Sequence, residues 1–294
     1  GISADNLGTG QKAGYLEEVP EGIIDESKLT ESCLSAGKWD GKYYAVPIAQ
    51  ECIALFYNTD KCPEVPETME ELVRLAKDEG LGFEYDITQT YYSYPMLSAQ
   101  GGYIFKDNGN GFDTSDIGLG NEGTIKGLEF IKSLIDKGLM SADISTDKAR
   151  EDFKNGNTSF YISGAWDVSA MKEAGVNFKV APIPTINGEN PKPFLGVQTA
   201  FVNSQAGEKE KKTAWALLKY LMSNEEVSNI LLEKGSRLPV NKSIIESESF
   251  KNNELMAGFV KQAEFATPTP NVKEISYVWD PTNNGIKSVL QGKA

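Results

Sequence analysis

The amino-acid sequence predicts an α/β fold on three observations. Strand-like runs alternate with helix-like periodic segments along the 294 residues, the pattern that layers helices on a sheet. Several of the periodic segments begin at residues able to cap a helix. Two stretches, PIAQECIALFYN at 47–58 and KPFLGVQTAFVN at 192–203, lack strong periodicity but join sheet-like runs. Two extended crossings of that kind predict a hinge between lobes, not a flexible linker.

In chain order, Asp40-Gly41 reads as a tight turn leading into a strand at 43–46. Further strands are predicted at 54–57, 158–162, 178–181 and 197–202, where β-branched and aromatic residues cluster. Thr68 and Glu71 form a capping-box pattern ahead of a helix whose face is Met69, Leu72, Val73 and Ala76. KDNGNGFD at 106–113 reads as a hairpin tip. Asn121 can cap a helix that turns Ile125, Leu128, Ile131, Leu134 and Ile135 inward and stops at Gly138. Residues 203–212 read as a solvated loop. Ala214, Leu217, Leu218 and Leu221 mark the next helical face, and Ser223 with Glu226 caps another helix, ending at Gly235. Met256, Phe259, Val260 and Ala263 mark one more. Trp279-Asp280-Pro281 opens the last helix, with Asp280 as its N-cap.

Composition excludes several function classes. The formal charge is −13, and a phosphate backbone calls for a Lys/Arg surplus, so nucleic acid is not an expected partner. The chain has no histidine, which removes Ser-His-Asp and Cys-His arrangements and the commonest metal ligand. Cys33, Cys52 and Cys62 match no zinc or redox spacing and read as small buried thiols. No metal and no cofactor is expected. No P-loop, G-x-G-x-x-G or G-x-S-x-G motif is present.

The residues able to do chemistry lie where elements end. TQTYYSYP places Tyr91, Tyr92 and Tyr94 just before Pro95, a residue suited to a first helical turn. Trp166-Asp167 follows the 158–162 strand, and Asp5-Asn6 precedes a Gly-rich turn. Glu51 is an acid flanked by Ala49, Ile53 and Ala54 and needs a donor from the protein or from a ligand. Aromatic faces beside carboxylates suit a carbohydrate, whose C–H faces stack on rings while its hydroxyls donate to acids and amides. A glycosidase built on Glu51 and Asp167 uses the same ingredients, and an adhesion module remains a third reading.

WDGKYYAVPIAQECIALFYNTD, YYSYPMLSAQGGYIFK, FKNGNTSFYISGAWD, PFLGVQTAFVN and SRLPVNKS, in that order, resemble the maltose/maltodextrin-binding members of the extracellular solute-binding protein family, the receptors of sugar ABC importers. The resemblance implies a two-lobed, type II periplasmic-binding-protein-like fold that closes on a sugar. It further implies a non-enzymatic role, α-glucan oligosaccharides as ligand, importer permease subunits as partners, and an extracytoplasmic location, periplasmic or lipid-anchored at a Gram-positive surface. Asp5 matches a first-lobe residue that bonds sugar hydroxyls, Glu51 an acid at the hinge, and Tyr91, Trp166 and Trp279 a second-lobe aromatic platform. Gln89 stands where an acid is expected, Asn6 where an arginine is, Ile2 where a stacking tryptophan is, and Asn283 near an expected arginine. These four departures predict a different length or linkage preference.

The implied lobes are 1–48 with 200–247, and 49–199 with 248–294. Against the family pattern the chain reads as a fragment lacking the first lobe's opening strands and cut short at its last helix. An incomplete first lobe predicts an unpaired sheet edge and uncovered apolar helix faces, and admits a strand-exchanged homo-oligomer.

Overall fold

The computed structural model describes residues 2, 3, 7–109 and 111–293, with Ile2 and Ser3 described by their backbone pairing. Among the described residues twelve strands are assigned: β1 (Ile2–Ser3), β2 (Lys38–Trp39), β3 (Lys42–Tyr43), β4 (Val46–Glu51), β5 (Ile53–Asn58), β6 (Phe83–Glu84), β7 (Phe105–Asp107), β8 (Phe112–Ile117), β9 (Phe160–Gly164), β10 (Phe178–Ala181), β11 (Phe194–Ala200) and β12 (Thr267–Pro268).

They form two four-stranded sheets and two small hairpins. In the first sheet β11 is the common partner, antiparallel to β4 and β1 and parallel to β12. The second has the order β10-β5-β9-β6. The segment 47–58, read as a crossing, supplies β4 to one sheet and β5 to the other, with Cys52 as the single residue between them. The other crossing supplies β11. The Asp40-Gly41 turn takes positive φ at both residues, as a two-residue hairpin requires. It joins β2 to β3, so the strand expected at 43–46 begins and ends earlier.

Every residue of β5 and β9 is buried, as expected of central strands covered on both faces. Helix 254–263 packs on β5 and β10, and helix 146–154 on β9. Phe56 is the centre of the core: it stacks on Phe178 at 5.5 Å and meets Phe153, Tyr161 and Phe259 edge-on. The three cysteines are buried and free.

Several helices differ from the reading in physically informative ways. Thr68 accepts the Glu71 N–H at 3.2 Å, but the Glu71 carboxylate turns to Arg74 and leaves the capping box half made. Asn121 caps helix 122–136 as expected. Its Ile125, however, is exposed, and the inward face is Gly123, Gly127, Ile131 and Leu134. A Cβ on Gly127 would lie 2.6 Å from the Leu97 Cα, so the glycine face sets the close approach of helix 90–99. Helix 208–223 begins inside the predicted loop, with Glu208 and Glu210 in its first turn, where the dipole favours acids. It buries Trp215, Leu218 and Met222 and leaves Leu217 out. Asn224, one residue beyond Ser223, caps helix 225–235. Pro95 sits at the sixth position of helix 90–99, not in its first turn. Asp280 lies within the first turn of helix 279–290, with Val278 at the cap position.

Candidate functional site

Trp166 follows the end of β9, in the single 3-10 turn Ala165–Asp167 that leads into helix 168–173. The residue is 39% exposed and its indole lies against Gly164, where a Cβ would come within 2.2 Å of the ring. The glycine makes this placement possible: the strand ends in a residue without a side chain, and the ring occupies that space.

Tyr91, in the first turn of helix 90–99, is 6.5 Å from Trp166 between ring centroids and 6.4 Å from Phe194 at the start of β11. Phe194 stacks on Tyr94 at 3.9 Å and meets Trp279 edge-on at 5.6 Å. Tyr91 and Trp166 therefore touch directly, and Trp279 joins them through Phe194. Phe194 has no site role in the sequence reading, where its segment counts as a hinge crossing and as one of the family-like blocks. Its signal was an aromatic two residues before Gly196 in an extended run.

Glu51 ends β4 opposite Gly196. A Cβ on Gly196 would lie 3.0 Å from the Glu51 Cγ, so this glycine too makes room for a site side chain. The donor Glu51 needs comes from the protein: its carboxylate pairs with Arg237. Backbone bonds between Gln50 and Leu238, at 2.9 and 3.2 Å, bring Arg237 alongside. Arg237 belongs to SRLPVNKS, but no local pattern connects it to a glutamate 186 residues away. The Tyr91 phenol is held above its usual pKa by burial and then by the Glu51 charge, so acid and ring share one environment.

Asn283 and Gln89 engage each other. Asn283 accepts from the Thr90 N–H at 2.7 Å and the Thr90 hydroxyl at 2.6 Å, and donates to the Gln89 side chain at 3.0 Å. Gln89 makes no side-chain cap of its own. Asn283 thus supplies the first-turn acceptor of helix 90–99 from helix 279–290 and fixes Tyr91 relative to Trp279. Asp5 and Asn6 lie outside the described residues.

Asp167 faces inward. It is 3% exposed and accepts from Tyr161 Oη and Ser163 Oγ, each at 2.7 Å, and from Arg150 Nε at 2.8 Å. Asp167 is thus held by two buried hydroxyls and the part-buried Arg150, and Glu51 is itself paired with a guanidinium. The glycosidase geometry is not supported by this pair.

A family model described as bacterial extracellular solute-binding protein matches residues 2–258. A galactooligosaccharide-binding protein of Bacillus subtilis is 32% identical, over 100% of this chain and 72% of its own length. A maltooligosaccharide ABC transporter solute-binding lipoprotein of Streptococcus pneumoniae is also 32% identical, over 98% of this chain and 70% of its own. Among solved structures, a cyclo/maltodextrin-binding protein complexed with maltotetraose superposes with a TM-score of 0.91 at 30% identity, covering 99% of this chain and 77% of that one. The mixed α/β architecture is accordingly that of the two-lobed type II binding proteins. The chain belongs to the bacterial extracellular solute-binding protein family.

Proposed function

We propose that this protein is a non-enzymatic receptor for malto-oligosaccharides, working outside the cytoplasm and delivering its ligand to the permease of an ABC importer. The observation that carries the reading is the aromatic shelf of Tyr91, Trp166 and Trp279, backed by the buried Phe194, beside the Glu51–Arg237 pair. Pyranose rings stacked on such a shelf contribute about 0.5 to 1.5 kcal/mol each beyond area burial, and charge-assisted bonds to the acid and guanidinium about 1.5 to 3 each. After the cost of association, an affinity near micromolar, about −8 kcal/mol, is the expected scale.

The lobes are taken as 1–48 with 200–247, and 49–199 with 248–294. The packing of helix 254–263 on β5 and β10, and of helix 279–290 on helices 90–99 and 122–136, supports assigning these two helices to the lobe of the second sheet, while β12 between them pairs with β11 of the first sheet. Closure is then favoured to the extent that one ligand contacts both lobes. Asp5, Asn6, Gln89 and Asn283 complete the proposed ligand set with Glu51, Tyr91, Trp166 and Trp279.

A thermal-shift screen against maltose, maltotriose, maltotetraose and a β-galactooligosaccharide tests the reading. Stabilisation by the α-glucans without shortening of the sugars over hours supports it. Stabilisation by the galactoside alone would replace the ligand class, and sustained turnover would replace the receptor by an enzyme.

A further inference from the structure

We infer that Asp167 is a positioning residue for ligand binding, acting through Trp166 as one half of a clamp across the end of β9. The inference rests on the receptor reading above and adds a residue to it. Side chains alternate along a strand, so Tyr161 and Ser163 share one face of β9 while Ile162 and Gly164 share the other. Trp166 lies on Gly164, on the second face. Its neighbour Asp167 reaches back to the first, where both hydroxyls donate to one carboxylate oxygen and Arg150 donates to the other.

Two consecutive side chains therefore grip the strand end from opposite sides. Asp167 stands at the N-cap position of helix 168–173 yet makes no cap bond, so its carboxylate is committed to the strand. The anchor is itself fastened. Arg150 lies on helix 146–154 and also holds Asp147. The Tyr92 phenol, pushed up to about 12 by burial and then by the Asp167 charge, lies within the same field, and its ring meets Tyr91 edge-on at 5.3 Å. Three donors on one acid leave the short turn little freedom. Trp166 thus presents its indole to the shelf at low ordering cost, despite being one of the more exposed rings of the site.

The test is a double-mutant cycle of Asp167→Asn with Trp166→Ala, read by calorimetric titration with maltotriose. The amide keeps the shape and removes the charge that organises the three donors. Asp167→Asn is expected to raise Kd about tenfold in the wild-type background, the scale of one charge-assisted bond, and less than twofold once Trp166 is alanine. A merely structural role would weaken binding equally in both backgrounds, and that result, or an unchanged Kd in the single variant, overturns the inference. Should the wild type bind none of the sugars, the receptor reading fails on its own. Acrylamide quenching of Trp166, isolated by subtracting a Trp166→Phe variant, then decides the clamp: quenching rises in Asp167→Asn if the clamp holds the indole and is unchanged if it does not. If Asp167→Asn does not fold, Tyr161→Phe removes one donor only. It is expected to give the same cycle with a smaller effect, and an additive cycle overturns the clamp equally.

Discussion

Replacing Glu84 by glutamine should remove a pH dependence built into the second sheet. Glu84 ends β6, and its Oε2 is buried without a donor. The carboxyl bonds instead to Asp152 on helix 146–154, beside Lys148, at a hollow of about 310 Å³ that Asp143, Ser141 and Ser145 also line. Two acids can share such a bond only when one keeps its proton. Burial, then Asp152, raises the Glu84 pKa from 4.5 to about 7. Asp152 goes the other way: burial opposes its ionisation, but Lys148 and Asn157 outweigh it. A folded pKa above the unfolded one gives a stabilisation that is complete below pH 4.5, declines as the unfolded chain ionises, and is gone above about pH 7. At 1.36 kcal/mol per pKa unit the full difference is about 3 kcal/mol. Glu84 is only partly buried and Lys148 largely exposed, so solvent screening reduces this to about 1 to 2 kcal/mol. Urea unfolding of wild type and Glu84→Gln at pH 4.5 and pH 8 measures it. The wild-type stability minus that of the variant should be larger at pH 4.5 by about 1 to 2 kcal/mol, and an identical difference at both pH values would refute the shared proton.

Other predictions concern the site and its supports. Gly164→Ala places a Cβ within 2.2 Å of the Trp166 indole. Because the ring is partly exposed it can swing outward, so maltotriose affinity should fall about tenfold or more while Tm drops only a few degrees, checked by calorimetry and differential scanning fluorimetry. Arg237→Met leaves Glu51 without its guanidinium. The pair is partly exposed, so a loss of about 1 kcal/mol in urea unfolding is expected, and Glu51→Gln in the same chain should recover most of it. Gly127→Val drives a side chain into the Leu97 backbone and should destabilise by roughly 1 to 3 kcal/mol, since overpacking against a main chain has no cheap relief.

Local patterns made most of the second sheet readable. β10 was bounded as found, β5 and β9 to within two residues at each end, and the cap at Asn121 was read directly. The two extended crossings were visible because each lacks strong periodicity yet joins sheet-like runs. Interior choices were less visible wherever a glycine or a larger neighbour decided them. Gly127 outcompetes Ile125 for the helix 90–99 contact because absence of a side chain brings backbones together, and periodicity scales give that no weight. Trp215, Leu218 and Met222 form the buried stripe of helix 208–223 at i, i+3 and i+7, and Leu217 falls off that stripe. Trp166 and Tyr91 were legible as rings stranded at element ends. Phe194 and Arg237 were not, and Asp167 was legible only as a candidate acid, since their surroundings depend on which distant strand or helix lies beside them: β11 under Tyr91, Leu238 against Gln50, and helix 146–154 beside β9.

A crystal structure with maltotriose bound tests the central claim most directly. Glucosyl rings should lie face-on to Trp166, with Tyr91 and Trp279 in contact and a sugar hydroxyl donating to Glu51. A maltotriose bound away from these rings, or one whose hydroxyls meet only main-chain groups on another surface, would contradict it.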